Sequence, residues 1–151
     1  MKKIYHYTRY EHAISILESG IIKPATAFID PQEIPAVWLS TSSTWERTAT
    51  PMIGNANGRR KMELSELISI TKLARFEIDP SAVTLIYPKQ IRTSLKISRR
   101  SFSGLLDCAK EDKAKSSEWL VVKGSIPISA CIRLELASSI DPFDWTELSG
   151  D

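Results

Sequence analysis

Short segments with the composition of β-strands recur along this chain, and they limit the folds open to it. They read IYHY at 4–7, AVWLSTS at 36–42, KLARFEID at 72–79, AVTLIY at 82–87, EWLVV at 118–122 and IPISACIRLEL at 126–136. Proline or glycine borders most of these segments, as Pro35, Pro80 and Gly124 do. Because only two or three helical patterns separate them, they do not form a repeating strand–helix–strand series. The pattern predicts a mixed α+β domain with about six strands.

The first helix is the clearest local pattern. Thr8 and Glu11 have the spacing of a capping box, and Gly20 stands where a left-handed residue commonly ends a helix. These signals predict a helix from about Arg9 to Ser19. Apolar residues at helical spacing predict the face that packs on the sheet; they are Tyr10, Ala13, Ile14 and Leu17. Two further helices are predicted, one at ELSELISI between 44 and 70 and one at about 102–115.

The N-terminal strand leads directly into this helix. Its two-residue period places Ile4 and His6 on one face of the sheet, and Tyr5 and Tyr7 on the other. His6 is therefore expected to face inward at the end of a strand.

Size and composition predict one ordinary domain. The chain has 151 residues, of which 42% are hydrophobic, and this fits a single domain over 1–151 with one sizeable core. It has no run of about 20 apolar residues and no signal-peptide core after Met1. Cys108 and Cys131 lie in unrelated contexts, which favours reduced thiols. We therefore expect a soluble, cytoplasmic protein.

Positive charge is concentrated in two places. The segment KQIRTSLKISRR at 89–100 has five basic residues and no acidic one, and the cluster RRK at 59–61 follows the turn-forming GNANG. The net charge of +2 is too small to indicate nucleic-acid binding by itself.

Three groups of residues stand out as candidates for chemistry, namely His6, the STSS run at 40–43 and Glu118. With the WLST and RFEID strands and the late SEWLVV and IPISACI segments, they resemble the ADP-ribosyltransferase-like superfamily over about Ile4 to Ile132. In that superfamily the key residues come from the first strand, the second strand and a late strand. The resemblance implies split mixed β-sheets with an N-terminal strand–helix unit, and NAD as co-substrate.

The resemblance also implies roles for particular residues. His6, with its neighbours Tyr7 and Thr8, matches the first-strand site that holds an NAD ribose, and Glu118 matches the catalytic glutamate. Residues Ser40, Thr41 and Ser42 resemble the Ser-Thr-Ser of the branch that begins with arginine. They stand where the histidine branch has a tyrosine that stacks on nicotinamide. Trp38 or Trp45 offers another ring for that contact.

The implied chemistry suits these residue types. Breaking the bond between nicotinamide and ribose builds positive charge on the ribose, and a carboxylate stabilises that charge most in the transition state. Glu118 is suited to this role, and a neutral His6 can hold a ribose hydroxyl. The nucleophile would come from the target, because the chain shows no nucleophile–base pair of its own.

The predicted function is an NAD-dependent ADP-ribosyltransferase that modifies a protein or nucleic acid. The residues predicted to hold that target through phosphate or acidic groups are Arg59, Arg92, Lys96, Arg99 and Arg100. Two alternatives remain, an RNA 2′-phosphotransferase-like enzyme and a non-catalytic module that binds a nucleotide or a protein. No metal-binding residue is assigned.

Each candidate residue also has a purely structural interpretation. His6 would then be a half-buried strand residue and Glu118 a surface residue. The serines at 40–43 would cap a helix beginning near Trp45.

Overall fold

A computed structural model describes residues 2–25, 30–55 and 58–148 of the protein. The described chain confirms the α+β class. Its helices are α1 (Tyr10–Ser19), α2 (Leu64–Ile70), α3 (Pro88–Ser94) and α4 (Arg99–Glu111). Its strands are β1 (Ile4–Arg9), β2 (Ile21–Ile22), β3 (Ala36–Ser40), β4 (Met52–Asn55), β5 (Gly58–Lys61), β6 (Leu73–Ile78), β7 (Trp119–Lys123), β8 (Ile126–Pro127), β9 (Cys131–Ala137) and β10 (Thr146–Glu147). Within these ranges, no helix has the length and apolarity needed to cross a membrane.

Six strands form one sheet in the order β10-β9-β6-β1-β3-β7, and β2–β8 and β4–β5 form two small ladders. Every ladder between the described strands is antiparallel. The mixed pairing that the resemblance implied is therefore not found in this part of the chain. The described chain has ten strands, more than the predicted six. Five of the six predicted segments form strands, and β2, β4, β5 and β10 were not predicted.

Strand alternation divides the core between the two faces of the sheet. On one face, Ile4, Leu39 and Phe76 pack with α1 and the β2–β8 ladder. On the other face, Tyr5 and Tyr7 pack under α2, and a separate cluster packs under α3 and α4. The predicted alternation of β1 is confirmed, because Ile4 and the two tyrosines lie on opposite faces.

The predicted capping box at the start of α1 is wrong. Strand β1 continues to Arg9 and pairs with β6 along its whole length, so Thr8 is a strand residue opposite Ala74. Arg9 is the N-cap and makes no side-chain capping bond. The carboxylate of Glu11 instead accepts a hydrogen bond of 2.7 Å from the hydroxyl of Thr71. Pairing of the whole strand thus takes precedence over the local capping signal.

The predicted apolar face of α1 is only partly right. Ala13 is fully buried and Ile16 packs against the core, whereas Tyr10 and Leu17 are 40% and 44% exposed. The helix is rotated so that its smallest apolar residue meets the sheet. We therefore expect little stability to be lost when Leu17 is truncated.

The strand predicted at 82–87 is not formed. Pro80–Ala82 is a 3-10 turn, in which the carboxylate of Asp79 accepts from the backbone N–H of Ser81 at 3.0 Å. Beyond it, only Ile86 bridges to Val121 of β7. Helix α3 then begins at Pro88, where proline suits the first turn of a helix and cannot continue a ladder. The sequence pattern did not predict α3.

A buried cation on the second face of the sheet joins three strands. The guanidinium of Arg75 lies 4.0 Å from the ring centre of Tyr5 and 4.3 Å from that of Trp145. It donates to the carboxylate of Glu135 on β9 at 3.0 Å and to the hydroxyl of Tyr7 on β1 at 3.3 Å. Arg75 is only 7% exposed. This cluster fixes the position of Tyr7, which borders the site described below.

The predicted end of α1 at Gly20 is confirmed and gives a stability test. Gly20 has φ of 79°, and its N–H donates to the carbonyl of Ile16 at 2.8 Å. Because side chains disfavour this left-handed conformation, Gly20→Ala should cost about 1 to 2 kcal/mol in the free energy of unfolding.

Gly104, inside α4 and with open space around a Cβ, is the matched control. Gly104→Ala should stabilise by about 0.5 to 1 kcal/mol. Urea unfolding measures both; effects of the same sign would contradict this assignment.

Candidate functional site

The candidate site is a cleft between two strands of the main sheet. Strand β1 pairs with β6 from Ile4 to Arg9, but its ladder with β3 consists of the single pair Tyr5 and Ser40. Beyond that pair the two strands separate, and a cleft of about 480 Å³ lies between them. Its lining includes polar and aromatic side chains of both strands, of α1, of the segment that follows β3 and of β7: His6, Thr8, Arg9, His12, Trp38, Ser40, Trp45, Glu46, Thr48 and Trp119. A cavity of this size suits a small organic ligand.

His6 lies in the gap between the two strands. Its Nδ1 is 3.1 Å from the backbone carbonyl of Trp38. Since a carbonyl oxygen only accepts, Nδ1 carries the proton and Nε2 is the free acceptor of the neutral ring. Burial holds the pKa of His6 below its ordinary value of 6.5. The cleft therefore presents a neutral imidazole that can accept a hydrogen bond from a hydroxyl group.

The lowered pKa of His6 predicts a pH dependence of stability. The unfolded chain binds this proton more tightly than the folded protein does, so the contribution is complete above about pH 6.5 and is lost as the pH falls toward the folded pKa. We expect the free energy of unfolding to fall more steeply between about pH 7 and pH 5 in the wild type than in His6→Gln. Leu17→Ala, which removes no titratable group from the exposed side of α1, is the control and should keep the wild-type slope. Parallel curves for wild type and His6→Gln would contradict this prediction.

Aromatic rings form two walls of the cleft. Trp38 and Trp119 pack edge to face with ring centres 5.8 Å apart, and Tyr7 and Trp45 do so at 5.4 Å. Tyr7, Trp45 and Trp119 are buried, whereas Trp38 is partly exposed. Trp38 is thus the ring of this group that is best placed to contact a ligand in the cleft.

A buried carboxylate in the cleft was not predicted from the sequence. Glu46 is 9% exposed, and its Oε1 accepts from the hydroxyl of Thr48 at 3.0 Å and from its backbone N–H at 3.4 Å. It is the N-cap of the 3-10 turn Arg47–Ala49, so the predicted serine cap near Trp45 is replaced by a glutamate cap. The sequence feature that could have indicated the burial of Glu46 is the neighbouring Trp45, because an aromatic residue in a loop indicates that the loop packs on the domain.

The Ser40-Thr41-Ser42 segment mainly holds the turn after β3. Ser40 lines the cleft, but its hydroxyl accepts from the N–H of Ser42 at 3.1 Å. Ser42 donates its hydroxyl to the carbonyl of Trp45 at 3.1 Å, and its own carbonyl accepts from the hydroxyl of Tyr7. Neither Thr41 nor Ser42 is part of the lining. Of the six residues predicted to hold NAD, the structure places His6, Tyr7, Thr8 and Ser40 at the cleft.

Glu118 is not part of the cleft lining, but it directly precedes the lining residue Trp119, and this position is called the rim of the cleft. It ends the 3-10 turn Ser116–Glu118 immediately before β7, and its carbonyl accepts from the N–H of Thr41 at 3.0 Å. Its neighbours Trp119 and Ser40 pair across the β3–β7 ladder and do line the cleft. Glu118 is half-buried, and among the described residues no cation forms an ion pair with it.

Four of the five predicted target-binding residues lie outside the cleft lining. Arg92 donates to the carbonyl of Ile97 at 3.2 Å and so stabilises the turn between α3 and α4. Lys96, Arg99 and Arg100 are exposed in that turn and at the start of α4. Arg59 belongs to β5, and its side chain is outside the described part of the structure. The structure therefore separates a basic surface from the cleft.

Comparisons with protein-family models, with curated proteins and with solved structures returned no match to this chain. Membership of the ADP-ribosyltransferase-like superfamily therefore stays a prediction from the sequence motifs.

Proposed function

We propose that this protein is an NAD-dependent ADP-ribosyltransferase that binds the nicotinamide half of NAD in the cleft between β1 and β3. The observation that carries the proposal is the separation of these strands after the pair Tyr5 and Ser40. This separation exposes the first-strand histidine and its neighbours to a cavity of ligand size. Four of the seven residues to which the resemblance assigns a role, His6, Tyr7, Thr8 and Ser40, line this cleft, which supports the proposal.

The side chains of the cleft fit a nicotinamide riboside. The free Nε2 of His6 is an acceptor for a ribose hydroxyl, and the partly exposed Trp38 supplies a flat apolar surface for the ring. Trp38 takes the place of the second-strand tyrosine that is missing from the motif. Thr8 lies two residues after His6 on β1 and adds a hydroxyl on the same side of the strand.

The reaction needs a carboxylate near the bond between the ribose and the nicotinamide ring. Cleavage moves the electron pair of this bond onto the ring nitrogen and releases neutral nicotinamide. The ribose carbon then takes an electron pair from a nucleophile of the target, whose proton passes to solvent. Glu118 at the rim is proposed to stabilise the positive charge that develops on the ribose. Its freedom from ion pairs within the described chain leaves its charge available for that role.

The target would approach from the rim. Because Lys96, Arg99 and Arg100 are exposed and form no ion pair within the described residues, they are proposed to hold an acidic or phosphate-bearing target. Arg92, already bonded to Ile97, contributes by shaping the turn that carries them.

The charge of the cleft argues against the phosphotransferase alternative. Transfer of a phosphate needs several cations that converge on it. Among the lining residues of the described chain, Arg9 is the one lysine or arginine. It already lies 3.9 Å from the carboxylate of Glu11.

A non-catalytic nucleotide-binding module is the second candidate function. It is favoured by one observation, namely that the carboxylate of Glu118 is not part of the cleft lining. Both functions predict binding of NAD through His6, and only the first predicts release of nicotinamide.

Replacement of His6 tests the site shared by both functions. His6→Ala removes the acceptor and should weaken NAD binding by about tenfold, as loss of one hydrogen bond to a ligand does. Titration calorimetry with NAD is the measurement, and Leu17→Ala, on the exposed side of α1, is the control that should bind as the wild type does. Unchanged affinity in a folded His6→Ala variant would place the nucleotide elsewhere.

A further inference from the structure

The carboxylate of Glu46 is fixed in the cleft without a countercharge. Its Oε1 is held by the hydroxyl and the N–H of Thr48, and the residue is 9% exposed. Across the described residues, no lysine, arginine or histidine forms an ion pair with it. The second carboxylate oxygen has no hydrogen-bond partner in the same part of the chain.

Two cations of this region are bound to other groups, and Arg47, which follows Glu46, is exposed and forms no ion pair with it within the described chain. Lys61 reaches the carbonyl of Thr48 at 3.3 Å but forms its ion pair with Asp112 at 2.9 Å. Arg9, which lines the cleft, pairs with Glu11. Glu46 therefore has no ion-pair partner among the described residues.

Such a site favours a positively charged ligand. A carboxylate that is mostly shielded from water gains stability from a cation placed beside it. The rings of Tyr7, Trp38 and Trp45 border the same cleft, and the faces of aromatic rings attract cations. The partly exposed ring of Trp38 and the single carboxylate among the described lining residues together suit a flat cation.

We infer that the cleft selects a planar, positively charged ring, with Glu46 as its countercharge. The inference rests on the proposed function in one respect, since the oxidised nicotinamide ring of NAD is such a cation and the reduced ring of NADH is neutral. Glu46 is thus a specificity residue that separates the two forms of the dinucleotide, whereas Glu118 acts on the reaction.

Two pairs of probes test the inference without reference to turnover. Calorimetry compares the N-methylnicotinamide cation with neutral nicotinamide, and NAD with NADH. The wild type should bind the charged member of each pair at least about tenfold more tightly, as expected for a contact with a charged group. Glu46→Gln should lose this preference. Glu18→Gln is the matched control, because it removes the same charge at an exposed position of α1 outside the cleft lining and should keep the preference.

The outcomes separate this inference from the proposed function. Equal binding of charged and neutral rings by the wild type would overturn the inference, and nicotinamide release from NAD would still support the function. A preference for the N-methylnicotinamide cation without binding of NAD would support the inference and contradict the function. If Glu46→Gln does not fold, the wild-type comparison of the two probe pairs decides alone. A preference that persists in a folded Glu46→Gln variant would also overturn the role of Glu46.

Discussion

Arg75→Met is expected to lower the free energy of unfolding by about 3 to 5 kcal/mol, the largest stability effect of any substitution considered. The guanidinium lies between the rings of Tyr5 and Trp145 and bonds Glu135 on the next strand. Removing it leaves the Glu135 carboxylate, whose side chain is 15% exposed, without its cation. Chemical denaturation followed by fluorescence measures the loss.

A double variant distinguishes the buried pair from simple loss of packing. Arg75→Met combined with Glu135→Leu removes both charges and should recover most of the stability, because replacing both partners of a buried pair is often nearly neutral. Arg60→Met breaks an exposed pair with Glu66 and should leave the denaturation midpoint almost unchanged. A midpoint for Arg75→Met as high as that of Arg60→Met would show that the buried cluster does not hold the sheet together.

Glu118→Gln is expected to reduce the rate of nicotinamide release by about a hundred- to a thousand-fold, the largest effect on activity. Glutamine keeps the size and a hydrogen-bonding oxygen but removes the negative charge that is proposed to stabilise the developing cation. Binding of NAD should stay within a few-fold of the wild type, because Glu118 is outside the lining of the cleft. Release of nicotinamide at saturating NAD is the measurement, with a melting curve to confirm folding.

Glu46→Gln is the comparison for this prediction. It should weaken NAD binding and leave the rate at saturating NAD closer to that of the wild type. If Glu46→Gln abolished turnover and Glu118→Gln did not, the catalytic carboxylate would be Glu46, and the assignment implied by the resemblance would be wrong.

Much of the fold could be predicted where a local pattern coincides with burial. Gly20 ends α1 as expected because its left-handed conformation is a property of a single residue. The segments that became β6, β7 and β9 were predicted because their alternation or apolar runs match strands of a sheet covered on one or both faces.

The errors have a common physical origin in pairing between distant segments. Thr8 is a strand residue and not a cap because β6, more than 60 residues later, continues the ladder to Arg9. The segment at 82–87 does not form a strand, because it pairs with β7 through a single bridge, between Ile86 and Val121. A single sequence does not specify such partners, so tertiary pairing overrides local propensity there.

The sequence predicted some residues of the candidate site, but it did not predict the cleft in which they lie. His6 and Thr8 were selected from their motif, but the cleft depends on where β1 and β3 separate, which no local pattern encodes. Glu46 was missed because its importance comes from burial beside Trp45 and from the absence of a paired cation in the described chain.

The most direct test of the proposed function is a titration of the wild-type protein with NAD, followed by analysis for free nicotinamide, with and without candidate protein and nucleic-acid targets. If the proposed function is right, NAD binds saturably and His6→Ala weakens the binding, and nicotinamide is released at a rate that Glu118→Gln greatly reduces. Binding without release under any of these conditions would favour the non-catalytic module. No binding of NAD at all would contradict the proposed function.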